Sequence, residues 1–111
     1  MEIRAEAHSG VTVIALVGEL LTEEFAQIER QINELIGQDA RRLVFDLASC
    51  RMLSSQGLGL LLGATKRVRR MKGDVKVVNA NERIMNLFQL TNVNTVIGIY
   101  PTVDSAVQSF H

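Results

Sequence analysis

The sequence predicts an α/β domain, a mixed β-sheet of about five strands flanked by four helices and folded as one unit over residues 1–111. Three observations point to it. Short runs rich in Val, Ile and Leu alternate along the chain with longer segments whose apolar residues recur at helical spacing. The 111 residues are 47% hydrophobic, enough for one core without staples, and no linker, repeat or low-complexity tract divides them. At the centre, the strand-like Leu43 to Leu47 leads through a short connection into a long helical pattern, as expected where successive strands run parallel.

Glu2 to Ala7 and Val11 to Val17 read as two strands joined at His8-Ser9-Gly10, a hairpin with glycine at its tight place. Thr22 supplies an N-cap, with Glu23 and Glu24 in the first turn of a helix running to about Ile36. Phe25, Ile28, Ile32, Leu35 and Ile36 fall on one face of that helix. Gly37 to Ala40 form the turn out of it, and Leu43 to Leu47 form the third strand. The next helix starts near Ser55 and runs to Met71 or Lys72, burying Leu58, Leu61, Leu62, Thr65 and Val68. Gly73 ends it, and Val75 to Val78 is a strand. Asn81 caps a helix from about Glu82 to Leu90 with Ile84, Leu87 and Phe88 inward. Val96 to Tyr100 is the last strand, and Thr102 caps a terminal helix carrying Ala106, Val107 and Phe110. The element order is therefore β-β-α-β-α-β-α-β-α.

Lysine plus arginine and aspartate plus glutamate number twelve each. A balanced chain gives no net field for nucleic acid or an anionic membrane, so protein partners come first. The basic segment Lys66 to Lys72 suits the negative end of a helix dipole, and it lacks the interleaved aromatics that would stack on bases, so no direct nucleic-acid contact is expected. The N-terminus has no signal-peptide pattern and no apolar run reaches membrane-spanning length, so no membrane insertion is expected. The single cysteine, Cys50, excludes an internal disulfide and suits a reducing, cytoplasmic setting; among apolar neighbours and without a nearby histidine it reads as a buried inert thiol.

The stretch Leu43 to Leu62 carries the chemistry. Ser54 and Ser55 sit at a strand-to-helix junction, where a serine hydroxyl caps the helix and the positive dipole end welcomes an anion. A hydroxyl in that place is both a cap and a candidate phosphorylation site. Gly57 and Gly59 cost helix stability, either because backbone or a partner comes close or because they ease packing on the sheet.

The run Asp46-Leu47-Ala48, followed by Ser54-Ser55-Gln56-Gly57-Leu58-Gly59, resembles the signature of the STAS domain of anti-sigma factor antagonists. In those proteins a strand ending in Asp-Leu-Ser is followed by Asp-Ser-Ser-Gly-Leu-Gly, with the first of its serines as phosphoacceptor. The resemblance places Ser55 on the phosphoacceptor, with Ser54 as competitor. Ser54 stands where the family usually has Asp and Gln56 where it often has Ser. Gly18-Glu19-Leu20 is similar to a second landmark, with Leu21 at a position that is usually Asp. The element order agrees with the STAS arrangement along essentially the whole chain.

What the resemblance implies is a binding module. Ser54, Ser55, Gln56, Gly57, Leu58 and Gly59, with Glu19 and Leu21, would form a partner surface. The partner would be an anti-sigma factor that is also a serine kinase, with a serine phosphatase as reset, and the regulated output sigma-factor-dependent transcription. The alternative is a constitutive STAS module of a stressosome or of a lipid-transport ABC complex. An enzyme is not expected: the chain has no phosphate-cradling Gly-rich motif, no Cys-x-x-Cys and no His-Glu-x-x-His, and neither His8 nor His111 stands in a catalytic pattern. No cofactor and no metal are called for, and the oligomeric state stays open.

Overall fold

A computed structural model describes residues 1–111. Strands β1 (Glu2–His8) and β2 (Val11–Val17) form an antiparallel hairpin, from Glu2 opposite Val17 to His8 opposite Val11. Its two-residue turn takes positive φ at Ser9 and Gly10, the geometry that matches strand twist in tight hairpins. A 3-10 turn over Thr22–Glu24 leads into α1 (Phe25–Gly37), followed by β3 (Arg42–Asp46), α2 (Ser55–Arg70), β4 (Asp74–Val78) and α3 (Glu82–Thr91). A second 3-10 turn over Val93–Thr95 precedes β5 (Gly98–Tyr100), and α4 (Val103–Gln108) closes the chain.

The sheet order is β1-β2-β3-β4-β5, with every pair after the hairpin parallel. Each crossover steps in the same direction. Right-handed connections that never reverse must leave all their helices on one face of the sheet. That face carries the larger core: Ile14, Leu16, Leu43, Phe45, Val75 and Val77 from the strands meet Ile28 and Ile32 of α1, Leu61 and Val68 of α2, and Ile84 and Phe88 of α3. Only α4, which is not a crossover, is free to cover the other face. There Ala106 and Val107 pack on Val11, Val13, Val44 and Val78. Leu43, Val44 and Phe45 are consequently all buried, so β3 reads as an unbroken apolar run, whereas the edge strand β1 keeps Glu2, Arg4 and Glu6 in water.

The structure departs from the sequence reading at several places, each with a local cause. The residue capping the Thr22–Glu24 turn is Leu21 and not Thr22; Leu21 has no side-chain acceptor, and the Glu24 carboxylate reaches back instead to accept its N–H at 3.3 Å. On α2, Leu60 is buried and Leu62 is 38% exposed, because the run Leu60-Leu61-Leu62 covers most of a helical turn and only part of it can face the sheet. Leu87 is half-buried. The last strand begins at Gly98 instead of Val96. Asn92 ends α3 in the left-handed region at φ 59°, and the following 3-10 turn uses up Val93 to Thr95 before the chain can extend. Phe110 lies beyond the end of α4, packed at the margin of the smaller core.

Candidate functional site

Parallel sheets place their adaptable loops at the carboxyl ends of the strands, and the β3–α2 connection lies there. Its sequence is amphipathic: Leu47, Cys50 and Leu53 are buried, while Ala48, Ser49, Arg51, Met52 and Ser54 are exposed. Three apolar anchors thus hold an otherwise irregular loop to the core. Hydrogen bonds pin it from three sides. The Gly18 N–H donates to the Ser49 carbonyl at 3.0 Å, tying it to the loop after β2. The Leu47 N–H donates to the Val78 carbonyl at 3.0 Å, and the Asn81 side-chain amide donates to the Arg51 carbonyl at 2.9 Å. Asp46 accepts the Ala48 N–H at 3.0 Å and the Asn79 amide at 3.1 Å on one carboxylate oxygen. Asn79 itself sits at φ 59°, a conformation that asparagine tolerates better than most residues.

The pinned loop delivers two serines to the start of α2 in different states. Ser54 is the N-cap in extended conformation, and its Oγ accepts the Gly57 N–H at 3.2 Å. Ser55 is the first helical residue; it is exposed, and its hydroxyl makes no hydrogen bond within the chain. The first turn of α2 has no carboxylate, while its last turn carries Arg67, Arg69 and Arg70. The positive pole of the dipole beside Ser55 is therefore uncompensated, and an anion attached there would be stabilised.

Of the other residues expected on the contact surface, Glu19, Leu21 and Gly59 face solvent, Gln56 is half-buried, and Gly57 and Leu58 are buried. The two glycines differ in kind. A Cβ built on Gly57 would lie 3.0 Å from Cδ2 of Leu53, so that glycine admits the loop anchor against the helix. A Cβ on Gly59 would meet nothing within 4 Å. Leu21 is 50% exposed and Met52 51%, two large apolar side chains left in water on the two loops that Gly18 and Ser49 join. Met52 was not legible as a surface residue, since nothing in sequence separates it from the anchors on either side.

Cys50 donates its thiol to the Met52 carbonyl at 3.4 Å. Burial pushes this thiol up; the Met52 hydrogen bond pulls the other way, and the negative charge of Glu19 adds to the rise. A protonated thiol of this kind is a poor nucleophile. His8 faces Glu6 at 3.1 Å and the His111 ring reaches the Ser9 carbonyl at 2.9 Å, so both histidines gather at the hairpin end of the sheet, opposite Ser55.

The STAS domain family model matches residues 2–106. An anti-sigma F factor antagonist of Paenibacillus polymyxa is 27% identical over 101 residues, covering 90% of this chain and 86% of that one. The crystal structure of an anti-sigma factor antagonist from Mycobacterium paratuberculosis superposes with a TM-score of 0.87 at 25% identity, covering 97% of this chain and 92% of that one. The Bacillus cell fate determinant SpoIIAA in its phosphorylated form superposes with a TM-score of 0.75 at 23% identity, covering 99% and 100%. No helix of the fold is long and apolar enough to cross a membrane.

Proposed function

The chain belongs to the STAS domain family, and from that footing we propose that it is an anti-sigma factor antagonist, a binding protein without catalytic activity or cofactor. Its partner is an anti-sigma factor that is also a serine kinase. The surface it uses is the carboxyl end of β2 and β3: Glu19 and Leu21 on one loop, Ser54, Ser55 and the exposed first turns of α2 on the other. Binding frees a sigma factor, in the cytoplasm. Phosphorylation of Ser55 adds about −1.5 to −2 charge in the middle of that surface, which a partner fitted to a neutral hydroxyl must either desolvate or repel. A serine phosphatase resets the switch.

The observation that carries this reading is the division of labour between the serines. Ser54 is engaged as a cap and Ser55 is exposed with a free hydroxyl on a loop held from three sides. The reading is tested by affinity capture with Ser55→Ala and Ser55→Asp baits, followed by mass spectrometry and phosphopeptide mapping of the parent in cells. A kinase-like anti-sigma factor retained by Ser55→Ala and lost by Ser55→Asp, with phosphate mapped to Ser55, is the expected result. Equal retention by both baits, with Ser55 never modified, would reject the switch.

One feature favours the constitutive module of a stressosome or lipid-transport complex. Leu21 stands where relatives of this kind usually carry Asp, and half of it is exposed. An apolar side chain in that place suits a contact that is made once and kept. The same capture would then return transporter or stressosome subunits irrespective of the residue at 55.

A further inference from the structure

The outer face of α2 ends in a shallow cleft that the Ser55 surface does not use. Leu62, Thr65, Lys66, Arg69, Arg70 and Val96 line it, and it encloses about 400 Å³. Leu62 is 38% and Val96 42% exposed, so its floor is apolar and wet. Its rim is cationic. Arg69 is held by Asp74 at 2.9 Å and by the Val96 carbonyl, which fixes one wall, while Lys66 and Arg70 project without an ion-pair partner. A cleft of this make-up suits an apolar side chain flanked by carboxylates.

That group is present on the chain itself. Leu21 is 50% exposed, and Glu19 and Glu23, two residues to either side, are exposed as well. The corner that presents Leu21 is rigid: its carbonyl accepts the Glu24 N–H at 3.0 Å, its N–H donates to the Glu24 carboxylate at 3.3 Å, and the ammonium of Met1 clamps that carboxylate at 2.7 Å. A preorganised knob loses little conformational freedom on docking. The knob follows the carboxyl end of β2, where α2 begins, whereas the cleft runs along the second half of α2, from about 10 Å (Leu62) to about 22 Å (Arg70) along the helix axis from Ser55. A chain cannot fill its own cleft, but another copy can.

We propose that this protein associates head to tail, with Leu21 of one copy seated between Leu62 and Val96 of the next and Glu19 and Glu23 facing Lys66 and Arg70. The contact joins two different surfaces, so each added copy leaves one knob and one cleft open. The formal net charge of +0 offers no general repulsion against it. This association does not depend on the function proposed above, but it covers Glu19 and Leu21 and so competes with a partner there.

Sedimentation velocity on the full chain tests it. At low salt the average mass should climb above the 12.3 kDa of one chain as concentration rises, and fall back at about 0.5 M salt. Leu21→Lys and the double variant Lys66→Glu/Arg70→Glu should each remain at one chain while keeping the parent's circular dichroism and melting. Their equimolar mixture retains one intact knob and one intact cleft, and should give a species of two chains and nothing larger. A parent mass that stays at one chain at every concentration, undiminished association of either variant, or a mixture that forms no pair would overturn the proposal. So would a parent that does not self-associate but binds phosphatidylglycerol vesicles through Lys66 and Arg70.

Discussion

The Ser54 hydroxyl accepts the Gly57 N–H at 3.2 Å, which makes Ser54 part of the helix and leaves its neighbour Ser55 outside the fold's own hydrogen bonding. Ser54→Ala should therefore cost about 1 kcal/mol, the usual worth of an N-cap, and Ser55→Ala less than about 0.5 kcal/mol. Urea denaturation of the two variants checks this. A larger loss for Ser55→Ala would mean that the cap is misassigned.

On the function proposed above, a carboxylate at position 55 should act in opposite directions on folding and on binding. Near the N-terminus of α2 a negative charge is favourable by about 0.3–1 kcal/mol, so Ser55→Asp should melt at or slightly above the parent temperature even while it abolishes capture of the partner. A Ser55→Asp chain that both melts lower and binds poorly would show that lost binding reflects damage to the loop.

The glycines of α2 separate in the same way. Gly59 and Gly63 have open space where a Cβ would go, so Gly59→Ala and Gly63→Ala should each raise stability by about 0.5–1 kcal/mol through helix propensity. Gly57→Ala should show no such gain, because its methyl presses on Leu53 at 3.0 Å, and Gly57→Val should lose about 1–3 kcal/mol to overpacking. Gly73→Ala should be the worst of the set: its Cβ would lie 1.8 Å from the Arg41 carbonyl oxygen, which is backbone and cannot rotate away. Thermal melts of the four alanine variants give the ranking directly.

Asp74 sets an acid-sensitive term in stability. Burial on its own would raise its pKa, but the Val75 N–H, the Arg69 guanidinium at 2.9 Å and the Lys76 ammonium together hold the carboxyl below its ordinary value. A group depressed in the folded state contributes stability that is fully present above its unfolded pKa and is lost as pH falls through the folded one. Asp74→Asn should thus be destabilised at neutral pH, by no more than about 1 kcal/mol after screening of this half-exposed pair, and the gap to the parent should close as pH falls through the depressed folded value. Denaturant midpoints at pH 7 and at the acid end decide it; a gap that persists in acid would assign the effect to lost packing.

Much of this was readable from periodicity. β3 declares itself because Leu43, Val44 and Phe45 are buried on both faces, and the strand–helix alternation leaves little freedom for the topology once crossovers must be right-handed. The placing of α2 at Ser55 followed from a serine before an apolar helical run. What periodicity could not resolve was rotation and ownership. Leu60, Leu61 and Leu62 are equivalent in hydropathy, and only the sheet beneath α2 decides that Leu62 is the one left out. Thr22 looked like a better cap than Leu21 because a reach-back from Glu24 replaces the side-chain acceptor a cap normally supplies. At the candidate site, the exposure of Met52 and the inward role of Gly57 depend on Leu53, a contact made by a loop with no repeating pattern to read.

The unreversed strand order has a consequence for how the chain reaches its native state. Each parallel partner lies a single crossover away: Thr12 pairs with Leu43, Arg42 with Asp74 and Lys76 with Gly98. Loop closure therefore never has to wait for a distant strand, and the sheet can lengthen one unit at a time in the direction of synthesis. The Ser55 loop is the exception to that economy of order. Apart from the Gly18 N–H, its tertiary restraints come from Val78, Asn79 and Asn81, all of which follow it in the chain, so during translation the serines emerge well before most of the residues that fix their geometry. A nascent chain halted before Val78 carries both serines but only the Gly18 restraint on their loop, so on the function proposed above a kinase that recognises the loop's shape would have no substrate until about residue 81 has left the ribosome.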